Sequence, residues 1–256
     1  MYCRDITIAV LDCGNNGDLL EKLMYRLLKS YILGVIWFSL PTAAGAAADF
    51  SGIWMLQGRA AERELVLTDE GRRVQSAYDL LEDDPSLQCV PASISRVWAN
   101  PNVRIGIEQS ATNVLISYEF YDLRRDIPLG DASVMTEMPS TRNVDGRYFK
   151  EMGSSYARYE DERLVIDTRN HAPGYIRTSR GVPQSEHSVA REELWLDGET
   201  LKMTLTYVDE TLFEIPFILD HTFVRTEDLE VPLYECTDAA YDWFEKLNAP
   251  QQGESQ

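Results

Sequence analysis

The run Val189-Ala190-Arg191-Glu192-Glu193-Leu194-Trp195-Leu196, followed by Asp197-Gly198 and then by Leu201-Lys202-Met203-Thr204-Leu205-Thr206-Tyr207-Val208, decides the fold. Apolar residues alternate with others on both sides, as strands with one buried face require. The Asp-Gly pair between them suits a type I′ turn, in which both central residues take positive φ. Outward from this hairpin the pattern repeats. Leu164 to Thr168 answers Tyr156 to Glu160 across Asp161-Glu162, and Val103, Ile105 and Ile107 face Val114, Ile116, Tyr118 and Phe120 across a turn at Ser110 to Asn113. Two more strands are expected at Phe213 to Leu219 and His221 to Thr226. About nine or ten strands in hairpin order with few helices predict an all-β, antiparallel meander barrel, because closure removes exposed strand edges. A two-sheet sandwich is the rival.

Only two segments read as helix. Thr68 can cap the first, Asp69 and Glu70 suit its N-terminal dipole, and Val74, Ala77, Tyr78 and Leu81 share a face. The second, Asp238 to Leu247, aligns Ala240, Trp243, Phe244 and Leu247; it is a candidate amphipathic lid, with a terminal helix packing its apolar stripe against the outside of the sheet as the favoured reading. Two long stretches, Gly130 to Gly146 and Thr168 to His187, are rich in Pro, Gly, Ser and Asn and read as loops.

The N-terminal part reads as processing sequence. From Met24, basic Arg26 and Lys29 precede apolar Tyr31 to Leu40 and then small residues at Ala44-Gly45-Ala46 or Ala46-Ala47-Ala48, the order of a secretory signal. The apolar run is much shorter than the roughly 20 residues that span a bilayer. The expected organisation is an upstream extension at 1–23 from a start codon assigned in error, a signal peptide at 24–48, a single barrel domain at 49–248 and a disordered tail at 249–256. A periplasmic or secreted product follows, without a membrane anchor after cleavage.

Residues 1–48 hold four basic and four acidic side chains, so the remainder carries the whole net charge of -18. Such a surface repels nucleic acid and anionic lipid. Cys3 and Cys13 fall in the leader, leaving Cys89 and Cys236 to pair in an oxidising compartment. Closing that long loop stabilises by about 4 to 5 kcal/mol on the chain-entropy model.

Chemistry is sparsely signalled. His171, His187 and His221 lack metal-ligand spacing, and no cofactor or metal is expected. Gly153-Ser154-Ser155 lacks the G-x-S-x-G elbow of a serine hydrolase. The best acid-base constellation is Asp167 with Asn170 and His171, the carboxylate at a strand end orienting the imidazole. Turn chemistry, with Asp167 and Asn170 bonding their own backbone and His171 exposed, is the favoured reading of these residues. For a ligand cavity the alternation places Trp54, Tyr118, Met203, Tyr207 and Phe223 inward, with Gln109, His221 and Arg225 as polar contributors. Glu119, next to Tyr118, faces out toward an arginine.

Phe50-Ser51-Gly52-Ile53-Trp54 resembles the Gly-x-Trp first strand of lipocalins, in which the Trp closes one barrel end beneath an Arg from a late strand; Arg225 is then that partner, stacked on the indole. A wider resemblance, to an uncharacterised group of secreted bacterial proteins, runs through Asp49 to Trp54, Leu67-Thr68 with Glu70-Gly71, Asp84-Pro85 with Cys89 and Pro91, Ile116 to Glu119 with Asp122 and Arg125, Leu164 to Thr168, and Gly181, Pro183, Ser185 and Glu192. The chain departs from that pattern at Gln184 and Val189, where His is common, and at Tyr159, where Trp is common. The resemblance implies export and a β-rich fold. Three functions are thus expected in order: a binding protein for a small apolar or amphipathic molecule; an acid-base enzyme, hydrolase or isomerase, using Asp167 and His171 at the barrel mouth; and an envelope protein-interaction module.

Overall fold

Gly198 turns the central hairpin with φ of 60°. Asp197 stays in the strand, paired with Thr200, so the turn is Gly198-Glu199 rather than Asp197-Gly198. A two-residue turn opening on Gly needs one positive φ instead of two, and Gly takes it without steric cost.

The computed structural model describes residues 48–237. In chain order its strands are β1 (Gly52–Leu56), β2 (Ala61–Glu62), β3 (Arg104–Gln109), β4 (Asn113–Tyr118), β5 (Leu123–Pro128), β6 (Thr141–Asn143), β7 (Ser154–Glu160), β8 (Arg163–Arg169), β9 (Gly174–Arg177), β10 (Val182–Gln184), β11 (Val189–Asp197), β12 (Thr200–Val208) and β13 (Phe217–Arg225). The main sheet runs β6-β5-β4-β3-β1-β13-β12-β11-β8-β7, with short β2 also on β13, while β9 and β10 pair separately. All the named strand pairs are antiparallel. Its two margins meet. Gly130 N–H donates to Ala157 O at 2.8 Å, Ser140 N–H to Gly153 O at 3.0 Å, and Ser155 N–H to Ser140 Oγ at 2.8 Å. The result is the expected antiparallel meander barrel, in which the first strand lies between β3 and the last.

Burial alternates along the wall as the sequence predicts. Leu201, Met203, Leu205 and Tyr207 of β12 point inward, as do Phe217, Leu219, His221 and Phe223 of β13. The latter run corrects the expectation of separate strands at 213–219 and 221–226: one uninterrupted strand spans Phe217–Arg225, and Phe213 instead bridges Leu67. No turn is needed at Asp220, because its side chain points outward and is held by Arg63 and Thr204.

The hairpin turns at 110–113, 161–162 and 198–199 and the start of β1 lie at one end, here the turn end. Long excursions cover the other, the lid end. Between β1 and β3 the chain forms α1 (Asp69–Ser76), α2 (Leu80–Asp83) and α3 (Ile94–Trp98). Thr68 caps α1 as expected, accepting from Gly71 N–H at 3.0 Å. The helix then stops at Ser76, so Ala77, Tyr78 and Leu81 do not continue its face, and Leu81 is exposed. Asp79 starts α2 by accepting from Leu81 N–H. Helix α3 was not expected from the sequence; Ser93 caps it and also donates to Ile176 O in β9. Cys89, between α2 and α3, is bonded to Cys236. The expected helix at 238–247, the tail at 249–256 and the segments 1–23 and 24–47 lie outside the described residues.

Candidate functional site

The barrel wall places a charged pair at the centre of its own core. Arg125 follows Leu123 and precedes Ile127 on the inward face of β5, and Glu192 shares the inward face of β11 with Ala190 and Leu194. Both side chains are completely buried. Arg125 grips Glu192 with two parallel bonds, Nη1 to Oε1 at 2.8 Å and Nη2 to Oε2 at 2.6 Å. Its remaining donors reach Ser155 Oγ and Thr168 Oγ1, with Tyr118 OH at 3.4 Å. Burial alone would favour the neutral guanidine, but the adjacent Glu192 carboxylate outweighs it and holds the Arg125 pKa above its ordinary value. Burial pushes the Tyr118 phenol up. An ion pair this deep survives because its lone pairs and protons are met in bidentate geometry.

Glu192 has one further partner. Trp98, at the end of α3, donates its indole N–H to Glu192 Oε1 at 2.6 Å and packs edge-on to Tyr118 and against Phe223 with centroids 5.3 Å away. The lid therefore inserts its own tryptophan into the lumen and seats it on the buried ion pair.

Beside this plug lies a pocket of about 440 Å³, walled by Ser95 and Arg96 of α3 with Ala99 just past its end, by Arg177 at the end of β9 with Thr178 and Ser179 after it, and by Leu80 of α2 with Asp84 after it. Its polar groups are incompletely matched. Ser95 Oγ and Arg177 Nη1 of its wall are buried and lack a hydrogen-bond partner; elsewhere among the described residues so do both ring nitrogens of His221, His171 Nε2, Gln184 Oε1, Tyr78 OH and Thr141 Oγ1. Buried polar groups are ordinarily satisfied, so such a concentration calls for a reason. Desolvation lowers the Arg177 pKa; Glu62 opposes this, and neighbouring Arg180 and Arg96 add to it. Burial likewise lowers His221 to about 4, with Arg177 adding to the effect, so the ring is neutral at pH 7.

Asp167 and His171 are not brought together. Asp167 lies on the outer face of β8, where its carboxylate accepts from Tyr156, Arg158 and Arg191. His171 lies inside at the lid end, buried, with Nδ1 3.3 Å from Glu151 O and its ring 6.5 Å from that of Tyr207. Strand alternation explains the correction: in β8 it is Thr168, adjacent to Asp167, that points inward.

Trp54, Tyr118, Met203, Tyr207, His221 and Phe223 all lie inside the barrel. The lumen between Tyr118 and Phe223 is filled by Trp98 rather than left hollow for a ligand. Tyr207 OH accepts from Ser95 N–H at 3.1 Å and so meets the base of the pocket wall. Gln109 and Arg225 belong instead to the turn end. Gln109 bonds Phe50 N–H, Ala48 O and Tyr159 OH, away from Tyr118. Arg225 is exposed, with its guanidinium 4.2 Å above the Trp54 ring and Nη1 donating to Ser51 O at 2.6 Å. Glu119 accepts from the Arg104 backbone N–H at 2.7 Å, with the Arg104 side chain at 4.0 Å. Among the described residues no three of His, Cys, Asp or Glu gather as a metal ion requires.

The pocket residues Ser95, Arg96 and Arg177 carried no motif in the sequence. Glu192 and Arg125 had a legible signal: each occupies an inward position of an alternating strand, where a charge demands a partner.

No family model matches the chain, and no curated protein sequence is similar to it. Several solved structures overlap parts of it. A crystal structure of the N57Q mutant of the fluorescent protein UnaG is 13% identical with a TM-score of 0.36, covering 70% of this chain and 97% of its own. Apo lipid binding protein 8 of Caenorhabditis elegans is 11% identical with a TM-score of 0.34, covering 69% and 95%. Overlap this slight adds nothing to the site; the barrel rests on its own strand order.

Proposed function

We propose that this protein binds a small amphipathic molecule at the lid end of its barrel, in the pocket between α3 and β9. The observation that carries the reading is the set of buried, unpartnered polar atoms on Ser95, Arg177 and His221 in and beside that pocket. A ligand that pairs with these groups recovers hydrogen bonds the free protein forgoes, while Leu80 and Ala99 offer it apolar contact. The lumen is not the cavity in this reading, since Trp98 occupies it. Export to the periplasm or beyond, with removal of 24–48 ahead of a single domain at 49–248, is part of the proposal; it is supported by the leader's pattern and by the bond between Cys89 and Cys236, which suits an oxidising compartment. An acid-base enzyme built on Asp167 and His171 has no support in the geometry.

The test is native mass spectrometry of protein purified from its own envelope fraction and of refolded protein incubated with an amphiphile library. The expected result is a one-to-one adduct lost when Ser95→Trp fills the pocket. Only the bare protein mass, with and without the library, would overturn the reading.

A further inference from the structure

We infer that the molecule taken up in the lid pocket carries an anionic group, carboxylate or phosphate, that docks on Arg177 and Ser95. This rests on the binding reading above and specifies its chemistry. The protein carries a net charge of -18, yet this pocket collects guanidinium groups. Of the three arginines nearby, Arg180 is paired with Glu62. Arg96 lies 4.8 Å over the Phe120 ring and reaches Asn100 Oδ1 at 3.4 Å, both neutral partners. Arg177 has no ion pair or side-chain hydrogen bond among the described residues, and its Nη1 is buried without any partner. Two cations in one pocket wall with no carboxylate bonded to either leave a positive potential in a concave site, where an anion is held more strongly than on a flat surface.

The neutral groups agree in sign and geometry. Ser95 is one of the residues around the same pocket; it is fully buried and its Oγ has no partner, so a turn of its side chain can add a hydroxyl donor to a guanidinium that binds oxyanions with two parallel N–H groups. Asp84 is the one carboxylate in the wall. Its Oδ1 is occupied by Ser86 N–H and Ser86 Oγ, at 3.0 and 2.6 Å. A negative group is therefore expected against Arg177 and Ser95, away from Asp84, with the neutral remainder of the ligand toward Leu80.

Isothermal titration of the full chain with octanoate, octyl phosphate and 1-octanol provides the test, on wild type, Arg177→Gln and Ser95→Ala. The expected result is that at least one of the anions binds at least tenfold tighter than octanol, the better anion identifying the head group. Arg177→Gln should erase that preference and Ser95→Ala should reduce it severalfold. Because Arg177 is a half-buried cation with no ion pair among the described residues, Arg177→Gln should unfold at a temperature close to that of wild type, and that melting temperature, measured alongside, separates loss of binding from loss of fold. If octanol binds as tightly as both anions, or Arg177→Gln and Ser95→Ala leave the preference intact, the anion assignment falls while small-molecule binding stands. If none of the three binds, the anion assignment falls, and the binding reading is decided by the library measurement above.

Discussion

The two ends of the barrel are closed in different ways. At the turn end the wall closes on itself: Trp54 lies under Arg225, its indole N–H donates to Phe50 O at 2.9 Å, and Gln109 ties Ala48, Phe50 and Tyr159 together. Gly52 is needed there because, with φ of +137°, a Cβ would stand 1.9 Å from Arg225 Nη1. The lid end is closed by segments imported from between the strands, α1 to α3 and the β9-β10 hairpin, pinned by the Cys89–Cys236 bond. Gly181 plays the corresponding part there; with φ of +59° it lets the Tyr78 ring come within 2.7 Å of where a Cβ would be. The polar bookkeeping differs most. Ser95, Arg177, His171, Gln184, Tyr78 and His221 hold unpartnered buried atoms at or facing the lid end, whereas the turn-end side chains just named have partners. An end built for closure satisfies its polar groups from within, and one built for occupancy leaves some for a ligand.

The comparison can be broken most directly at the seat of the lid. Glu192→Ala removes the acceptor of Trp98 and leaves Arg125 buried without its anion, so chemical denaturation should show a loss of about 3 to 5 kcal/mol. Hydrogen exchange should rise in α3 more than in β1. A loss under about 1 kcal/mol, or exchange rising equally at both ends, would mean that the ion pair does not hold the lid.

A second difference is sensitivity to acid. Burial lowers His171 to about 4 from its ordinary 6.5, with a smaller push from Arg125. The unfolded chain therefore binds a proton that the folded state refuses between those values. Stability is full above about pH 6.5 and falls as pH drops toward 4, by about 3 kcal/mol for this one residue. His171→Gln should flatten the pH 4 to 7 stability curve by that order, His221 supplying a similar remainder. An unchanged curve would show that His171 is hydrated in the folded state.

The smallest effect is expected at the turn end. Arg225→Ala deletes an exposed cation-π contact and one bond to Ser51 O, a loss of about 1 kcal/mol with a shift in Trp54 fluorescence. Ligand binding at the lid end should be unaffected. A larger loss than that of Glu192→Ala would reverse the ranking of the two ends.

The turn end was largely legible beforehand. Phe50 to Trp54 with Arg225, the hairpins around 161–162 and 198–199, and the inward sets on β12 and β13 all follow from period-two alternation and turn residues, which are local signals. The lid end was not. Helix α3 is only Ile94–Trp98, too short for a periodic signal, and its existence depends on Ser93 reaching Ile176, a residue far along the chain. Asp167 and His171 are near in sequence, which suggests a pair, but adjacent strand positions face opposite ways, and His171 turns inward after the strand ends. Arg177, Ser95 and His221 come from a hairpin, a helix and the last strand. By itself, then, the sequence determined an antiparallel barrel wall, its inward faces and one cysteine pairing, because alternation and turn chemistry act between neighbours. Tertiary structure alone decided that Arg125 would meet Glu192 and Trp98, and that unpaired donors would gather beneath the lid, because those meetings depend on barrel closure and on how long loops fold back over its open end.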